Sequence, residues 1–395
     1  MDFTNLKNFM YYMAKYQSPG NAVQVYKDGK KVFEYTSGYS DYESKTPLKG
    51  DEYYNIYSCS KITTVTAALQ LLEKGYFLLD DPLSEYIPEY RQMLVKNQNG
   101  EIVEAKNPIT LGDLFTMTAG FTYDLNNDAI AKTRELTGGK MDTDVFARCM
   151  ASEVLSFEPG THWKYSLCHD VLGGVVSVLT GMKFSEYVKK NIFEPLEMNN
   201  SGYHRTKEIY DKMCSQYTFV PDGQADEFDI VEAQKYGKAK NGIFKKVEKT
   251  VIYDLGENFD SGGAGIVTTV SDYAKLAAAL ANYGMGINGE RILSRGTVEL
   301  LQQNRLSEEI LKKDLTLAQL RGYGYSLGVR TMINKTKGSS IGSLGEFGWG
   351  GAAGASVLAD PQQNLAFFYA QHCLNPREAY YQPRLRNVVY SCLDG

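Results

Sequence analysis

The sequence predicts an α+β fold: one antiparallel sheet from both ends of the chain, flanked by helices, with an inserted and mainly helical subdomain. Alternating runs typical of strands occur near both ends of the 395 residues, and helical periodicity dominates between them. Such a distribution favours one sheet built by both termini. We expect a single unit over 1–395, with an α/β subdomain of approximately 1–75 and 256–395 and a mainly helical subdomain of approximately 76–255.

The N-terminal part predicts an amphipathic helix followed by a β-hairpin. Leu6, Phe9, Met10 and Met13 form one apolar stripe of the helix. Two runs rich in β-branched and aromatic residues then flank Lys27-Asp28-Gly29-Lys30, and Asp-Gly is typical of a two-residue hairpin turn. This hairpin supplies the first strands of the predicted sheet.

The strand pattern returns at the C-terminal end of the chain. The segments ASVLAD and LAFFYAQH are joined by Pro361-Gln362-Gln363-Asn364, which again predicts a hairpin. A final helix is predicted from about Pro383 to Cys392.

Four internal helices are predicted from apolar spacing and from signals at their ends. The segment from about 204 to 255 is polar and turn-rich, and we expect long loops and short strands there. The helices are marked by Ile62, Val65, Leu69 and Leu72 before Gly75; by the capping pair Thr110 and Asp113 before Gly120; by Val171, Leu172, Val175, Val176 and Leu179 before Gly181; and by the cap Ser271 with Tyr273, Leu276 and Leu280 before Gly284.

The composition is that of an ordinary globular protein, with 43% hydrophobic and 23% charged residues. The net charge of −5 provides no basic field that would attract nucleic acid or an anionic membrane. No apolar run reaches the roughly 18 residues of a membrane span. The first residues lack the basic and apolar regions of a secretory signal, so a cytoplasmic location is expected.

The cysteines and histidines show no spacing typical of a metal site or a disulfide framework. We therefore expect free, mostly buried thiols, no metal centre and no cofactor. These residues are Cys59, Cys149, Cys168, Cys214, Cys373, Cys392, His162, His169, His204 and His372.

The first candidate motif is Ser58-Cys59-Ser60-Lys61, at the start of the first internal helix. Residues three apart on a helix share a face, with Cβ atoms about 5–6 Å apart, so Ser58 can touch Lys61 whereas Ser60 faces away. A helix N-terminus also supplies N–H donors that favour an oxyanion. Because a serine hydroxyl needs an adjacent base, and a partly desolvated lysine can be one, Ser58 is the predicted nucleophile. The pattern alone is common by chance.

Two further segments carry candidate site residues. Tyr165, in EPGTHWKYSLCHD, precedes a helix and can relay a proton between Ser58, a leaving group and solvent. The glycines of GEFGWGGAAGASVLAD permit close approach of a ligand to the backbone at the start of a strand. Each segment also has a purely structural interpretation. Tyr165 is one of 29 tyrosines in the chain, and the glycines would equally suit a tight hairpin, which needs small residues.

In this order and spacing, the three motifs resemble those of the serine β-lactamase and penicillin-recognising enzyme superfamily. The likeness is greatest to the class C β-lactamase-related hydrolases, including family VIII carboxylesterases, and implies a β-lactamase/transpeptidase-like fold. It spans nearly the whole chain and includes the blocks NIYSCSKITTVTAALQLLEKGYFLLDDPLSEYIPEY, ITLGDLFTMTAGFTYD, EPGTHWKYS, IFEPLEMNNSGY, DSGGAGIVTTVSDYAKLAAALANYG and GYGYSLGV.

The resemblance implies a role for each motif. Ser58 would be the acylated nucleophile, and Lys61 as general base would act with Tyr165 as a coupled pair. The third family motif, usually Lys-Thr-Gly, is replaced by Trp349-Gly350-Gly351. The oxyanion hole would be formed by the backbone N–H groups of Ser58 and Ala352.

Two departures from the family pattern bear on the substrate. Leu167 stands where many members have an asparagine that donates to a substrate amide, and Trp349 stands where a lysine would meet the β-lactam carboxylate. Both remove polar recognition of a peptide-like anion, while apolar walls tolerate many shapes. The predicted function is therefore a carboxylesterase acting on small to medium esters. Trp349, Gly350, Gly351, Leu167 and Tyr123 are the predicted substrate contacts.

Several alternatives remain open at this stage. A β-lactamase, a D-amino-acid peptidase or amidase, and an acyltransferase would use the same fold and the same acyl-enzyme intermediate. The expected substrate is therefore a small-molecule ester, lactone or amide. A catalytically silent binding protein is a further alternative. His169 and Asp170 would permit a Ser-His-Asp triad. Tyr323, like Tyr123, is a candidate for the pocket wall.

Overall fold

The computed structural model describes residues 1–221, 242–251, 253–374 and 377–393. Its strands are β1 Gly20–Lys27, β2 Lys30–Asp41, β3 Thr46–Pro47, β4 Tyr53–Asn55, β5 Leu94–Lys96, β6 Ile102–Glu104, β7 Gln216–Pro221, β8 Gly242–Val247, β9 Val267–Thr269, β10 Tyr323–Tyr325, β11 Arg330–Met332, β12 Phe347–Gly350, β13 Ser356–Asp360, β14 Leu365–Gln371 and β15 Cys373–Leu374.

The helices of the described residues are α1 Thr4–Tyr16, α2 Ser60–Glu73, α3 Leu111–Thr116, α4 Asp128–Leu136, α5 Thr143–Cys149, α6 Cys168–Thr180, α7 Phe184–Val188, α8 Lys207–Lys212, α9 Val270–Ala281, α10 Arg295–Leu301, α11 Glu308–Lys313, α12 Lys335–Gly338 and α13 Glu378–Ser391. Short 3-10 turns span Tyr57–Cys59, Leu83–Glu85, Pro88–Arg91, Met150–Ser152 and Ala318–Leu320, and a π-helical turn spans Lys189–Phe193.

The main sheet joins the two ends of the chain. Its order among the described residues is β10-β11-β12-β13-β14-β1-β2-β3, and each neighbouring pair is antiparallel. The N-terminal β1 pairs with the C-terminal β14 from Asn21 opposite Gln371 to Lys27 opposite Leu365. This pairing confirms the predicted α+β class and the sheet built from both termini.

The two predicted hairpins form the centre of this sheet. Asp28 and Gly29 have φ angles of 52° and 70°, the left-handed conformation that a two-residue turn of this kind requires at both positions. In the second hairpin, Asn364 takes the left-handed conformation with a φ of 43° just before β14. The Asp-Gly and Asn residues in the sequence therefore fix the turns that set the register of the central strands.

Helices cover both faces of the sheet. On one face, α1 and α13 pack on β1 and β14, with the predicted stripe residues Leu6, Met10 and Met13 buried. On the other face, α9 packs on β1, β13 and β14, where the Tyr273 ring lies 4.8 Å from that of Phe368. Beyond α9 lies a helical layer in which α2, α3 and α5 pack on α6. This layer and the C-terminal end of β12 enclose the site described below.

Several predicted boundaries were wrong. The last helix begins at Glu378, and Pro383 lies inside it. Thr269, not Ser271, caps α9, because its side chain accepts from the Asp272 N–H at 3.3 Å. Met117 ends α3 in the left-handed conformation, three residues before Gly120.

The segment predicted as loops and short strands contains α8 and the antiparallel pair β7–β8, to which β15 adds a parallel strand. Residues 222–241 and 252 of that segment lie outside the described residues. All six cysteine side chains are buried and unbridged. Within the described ranges, no helix is long and apolar enough to cross a membrane, and no cluster of three metal-ligating side chains occurs.

Candidate active site

Ser58 lies in the 3-10 turn Tyr57–Cys59, directly before α2. Tyr57 has a φ of 46°, a left-handed conformation that is uncommon for a bulky residue. Its buried ring and a 2.7 Å hydrogen bond from its hydroxyl to Gln216 Oε1 hold it there. The turn keeps Ser58 partly exposed, while the first turn of α2 carries Lys61 into the interior.

Three contacts fix the amino group of Lys61. Its Nζ lies 3.4 Å from Ser58 Oγ, 3.3 Å from the Tyr123 hydroxyl and 2.8 Å from the carbonyl oxygen of Gly263. The spacing of three residues on a helix therefore brings Ser58 and Lys61 together as the sequence predicts.

Asp170 positions the carbonyl that holds Lys61. Its Oδ1 accepts from the Gly263 N–H at 3.1 Å and from Ser261 Oγ at 2.6 Å. A Cβ at position 263 would lie 2.5 Å from Asp170 Oδ2, so a larger residue there would displace this carboxylate. That Asp170 and Gly263 hold Lys61 was not predicted from the sequence, although Gly263 lies in DSGGAG, at the start of one of the family-like blocks.

Burial lowers the pKa of Lys61 from 10.5 to about 8. The negative charge of Asp170 opposes this shift, but the loss of hydration has the larger effect. A substantial share of Lys61 is therefore neutral near physiological pH, and its nitrogen can then accept a proton.

Tyr165 lies in a stack of aromatic rings beside Lys61. Its ring centroid is 5.4 Å from that of Tyr123 and 5.7 Å from that of Trp349, at interplanar angles of 17° and 23°. The Trp349 indole N–H donates to the Tyr165 hydroxyl at 3.3 Å. Burial raises the pKa of Tyr165, and hydrogen bonding with Ser58 and Trp349 opposes the rise only in part. Tyr165 is therefore a neutral phenol near neutral pH.

The Trp349-Gly350-Gly351 segment ends β12 against the turn that holds Ser58. A Cβ on Gly351 would lie 2.2 Å from the Ile56 carbonyl oxygen, so this close packing requires glycine. The segment continues to the exposed Ala352. The backbone N–H groups of Ser58 and Ala352 donate to no described group of the protein, which leaves both for a ligand oxygen.

A cavity of about 330 Å³ opens beside Ser58. It contains the predicted residues Ser58, Tyr165, Trp349, Gly350 and Ala352. Sequence reasoning missed the remaining lining residues, which are Tyr253, Leu317, Gln319, Leu320, Arg330, Glu378 and Gln382.

Four of the residues predicted to contact the substrate or to line the pocket lie elsewhere than on the wall of this cavity. Leu167 is only 2% exposed and packs in the main hydrophobic core, and Tyr323 is buried with its hydroxyl bonded to Glu346. Tyr123 touches Lys61 and Tyr165 behind the wall, and Gly351 supports the Ser58 turn. The geometry therefore does not support direct substrate contact by Leu167 or Tyr323.

The alternative Ser-His-Asp triad does not form. His169 is buried, its Nε2 lies 3.2 Å from the Phe115 carbonyl oxygen, and burial lowers its pKa to about 3. Asp170 faces Ser261 and Gly263 rather than His169. Neither residue has a described hydrogen bond to Ser58.

The chain is similar to several known proteins. The esterase EstB of Burkholderia gladioli is 25% identical over 88% of this chain and 84% of its own. The lovastatin esterase of Penicillium rubens is 32% identical over 81% of this chain and 79% of its own. The solved structure of EstCE1, a hydrolase with promiscuous acyltransferase activity, superposes with a TM-score of 0.76 at 23% identity, covering 98% of this chain and 97% of that one.

EstCE1 therefore shares the fold of this chain over nearly the whole length of both chains. The family model described as Beta-lactamase matches residues 7–390, which include all three motifs around Ser58. The chain therefore belongs to the Beta-lactamase family.

Proposed function

We propose that this protein is a serine hydrolase that forms an acyl-enzyme on Ser58 and acts as a carboxylesterase on small to medium esters. The observation that carries the proposal is the pairing of a cavity-lining serine with a buried lysine 3.4 Å away whose pKa is lowered to about 8. The site lies where the two proposed subdomains meet, since Tyr165 comes from the helical part and Trp349 from the sheet.

Acylation begins when a substrate carbonyl enters the space between Ser58 and Ala352. Neutral Lys61, coupled to Tyr165, takes the proton of the Ser58 hydroxyl while Oγ forms a bond to the carbonyl carbon. The N–H groups of Ser58 and Ala352 stabilise the oxyanion. The bond to the leaving alkoxide then breaks, and that oxygen receives the proton through Tyr165 and departs as an alcohol.

Deacylation repeats these steps with water. The same base takes a proton from water, whose oxygen attacks the acyl carbon, and the proton returns to Ser58 Oγ as its bond to the acyl group breaks. The products are a carboxylic acid and the regenerated serine.

The wall of the cavity favours esters over β-lactams. Trp349 is stacked on Tyr165 and offers an apolar surface where the usual third motif would place a lysine. The carboxylate of a β-lactam would therefore lack the ion pair that the lysine of the usual third motif provides. The names of EstB and the lovastatin esterase support an ester substrate.

Acyl transfer is the second candidate function. The acyl-enzyme is the same, and an alcohol in place of water would yield a new ester. The promiscuous acyltransferase activity in the description of EstCE1 favours this alternative over a β-lactamase.

A substrate panel tests the proposal. The purified protein should cleave p-nitrophenyl butyrate at least about tenfold faster than nitrocefin, and rapid quenching should trap a mass increase of one butyryl group on the Ser58 peptide. Added alcohols report the share of acyl transfer. Faster turnover of nitrocefin, or an adduct on another residue, would contradict the proposal.

Tyr165→Phe should lower kcat for a p-nitrophenyl ester by about 10²-fold, because the change removes the relay hydroxyl while keeping the stacked ring. KM should change little, since the aromatic wall is preserved. Steady-state kinetics over an ester concentration series measures both constants.

Tyr325→Phe provides a matched control for that substitution. Tyr325 packs edge-on against Trp349, at a centroid distance of 5.3 Å, and its buried hydroxyl has no described hydrogen-bond partner. Removing that hydroxyl should leave kcat within about twofold of the wild type. Equal losses in the two variants would indicate a packing effect and would argue against a relay by Tyr165.

A further inference from the structure

A carboxyl group lies in the wall of the Ser58 cavity. Glu378 is the first residue of α13, and its Oε2 accepts from Gln319 Nε2 at 3.2 Å. Its Oε1 adjoins the end of β12, since a Cβ built on Gly350 would lie 3.3 Å from that oxygen. A substrate that extends from Ser58 past Gly350 therefore meets the carboxyl of Glu378.

None of the described residues provides this carboxylate with a counter-charge. Among the described residues, no lysine, arginine or histidine nitrogen forms an ion pair with it, and its hydrogen-bond donor is the neutral amide of Gln319. Arg330 also lines the cavity, but its ion pair in the described residues is with Glu346 Oε2, at 3.7 Å, and not with Glu378. Burial raises the pKa of Glu378 to about 7. An ionised Glu378 would be stabilised by a cation within the cavity.

Aromatic rings line the same space. Tyr165, Trp349 and Tyr253 are all on the cavity wall with Glu378. These rings form an apolar wall against which the methyl groups of an organic cation can pack, and the neighbouring carboxylate adds a direct charge interaction. This combination suits an ammonium group more than a metal ion, which would need several oxygen ligands.

We propose that Glu378 is a specificity-determining residue that selects esters or amides carrying a positively charged ammonium group in the part of the substrate lying over Gly350. The inference rests on the proposed function of Ser58, whose acyl-transfer chemistry places the substrate in this cavity. Anionic substrates are disfavoured by the same carboxylate.

A pair of isosteric esters tests the proposal. Butyrylcholine carries a quaternary ammonium, and 3,3-dimethylbutyl butyrate carries a neutral carbon in its place. We expect the wild type to show a kcat/KM about tenfold or more higher for the cation. Glu378→Gln should bring the ratio close to one, mainly by raising KM for butyrylcholine, and leave the neutral ester within about twofold.

Glu308→Gln is the matched control, because it removes the same charge from an exposed residue of α11 that pairs with Lys312 and does not line the cavity. This variant should keep the wild-type ratio. A wild-type ratio of one or less, or an unchanged ratio in folded Glu378→Gln, would overturn the proposal.

A binding measurement separates this inference from the chemistry of Ser58. Calorimetry with choline and 3,3-dimethylbutanol requires no turnover. A preference for choline that disappears in Glu378→Gln, without cleavage of either ester, would sustain the inference and reject the proposed function. Cleavage without any preference for the cation would reject only the inference, and absence of both would reject both.

Discussion

Ser58→Ala should abolish ester hydrolysis, lowering kcat/KM for p-nitrophenyl butyrate by roughly 10⁴-fold or more. The reason is that Ser58 is the only serine or threonine among the described residues that line the cavity, and its Oγ is 3.4 Å from Lys61 Nζ. Release of p-nitrophenol measures the loss. Mass spectrometry of the quenched protein should show that the butyryl adduct is absent.

Ser60→Ala is the control for this substitution. Ser60 is two residues away, but its hydroxyl faces inward and accepts from the Ile266 N–H at 3.1 Å. Removing this acceptor should lower the free energy of unfolding by about 1 kcal/mol and leave the activity within a few-fold of the wild type. If Ser60→Ala lost the activity while Ser58→Ala kept it, the nucleophile would be Ser60.

The parts of the site that the sequence predicts well depend on local geometry. Ser58 and Lys61 meet because they are three residues apart on one helical turn, and no tertiary contact is needed to place them together. The two hairpins are equally local, since Asp28-Gly29 and Asn364 adopt conformations that their residue types favour. The fold class follows from these hairpins, which supply four adjacent strands of the eight-stranded sheet.

The residues that sequence reasoning missed reach the site through distant parts of the chain. Lys61 Nζ bonds the carbonyl of Gly263, 202 residues away, and no spacing rule predicts such a contact. Glu378 was missed because Pro383 suggested a helix start, whereas α13 begins five residues earlier and brings Glu378 to the cavity. Pro383 is accommodated inside α13, so the start of this helix is set by the packing of the chain and not by the proline.

Leu167 shows the opposite error. Its place in the motif, two residues after Tyr165, suggested a substrate contact, but it lies at the N-cap of α6 and its side chain enters the core. Position in a family motif gives the path of the backbone more reliably than the direction of a side chain. The proposed ester preference therefore depends mainly on Trp349, which does line the cavity.

Lys61→Ala should lower kcat by about 10³-fold, because the change removes the group that accepts the Ser58 proton. Lys61→Arg is the matched variant, since it keeps the positive charge but cannot be deprotonated near neutral pH. Loss of activity in both variants would identify Lys61 as a base. Substantial activity in Lys61→Arg, measured on protein with an unchanged circular dichroism spectrum, would instead indicate a purely electrostatic role.

The pH dependence of the wild type gives an independent test. Lys61 acts in its neutral form, and burial lowers its pKa from 10.5 to about 8, so the active form increases as the pH rises through that value. At pH 7 about one tenth of Lys61 would be neutral, compared with roughly one in three thousand at an unshifted pKa. We therefore expect kcat/KM to rise about tenfold per pH unit below pH 8 and to level off above it.

This profile is best measured with a neutral ester in the Glu378→Gln variant, because Glu378, with a pKa of about 7, would otherwise titrate within the same range. The buried phenol of Tyr165 does not interfere, since its pKa is raised beyond this range. A midpoint near 10.5 would mean that Lys61 is not desolvated in solution. Activity that falls between pH 6 and 9 would show that the protonated amine is the active form, and Lys61 would then not be the base.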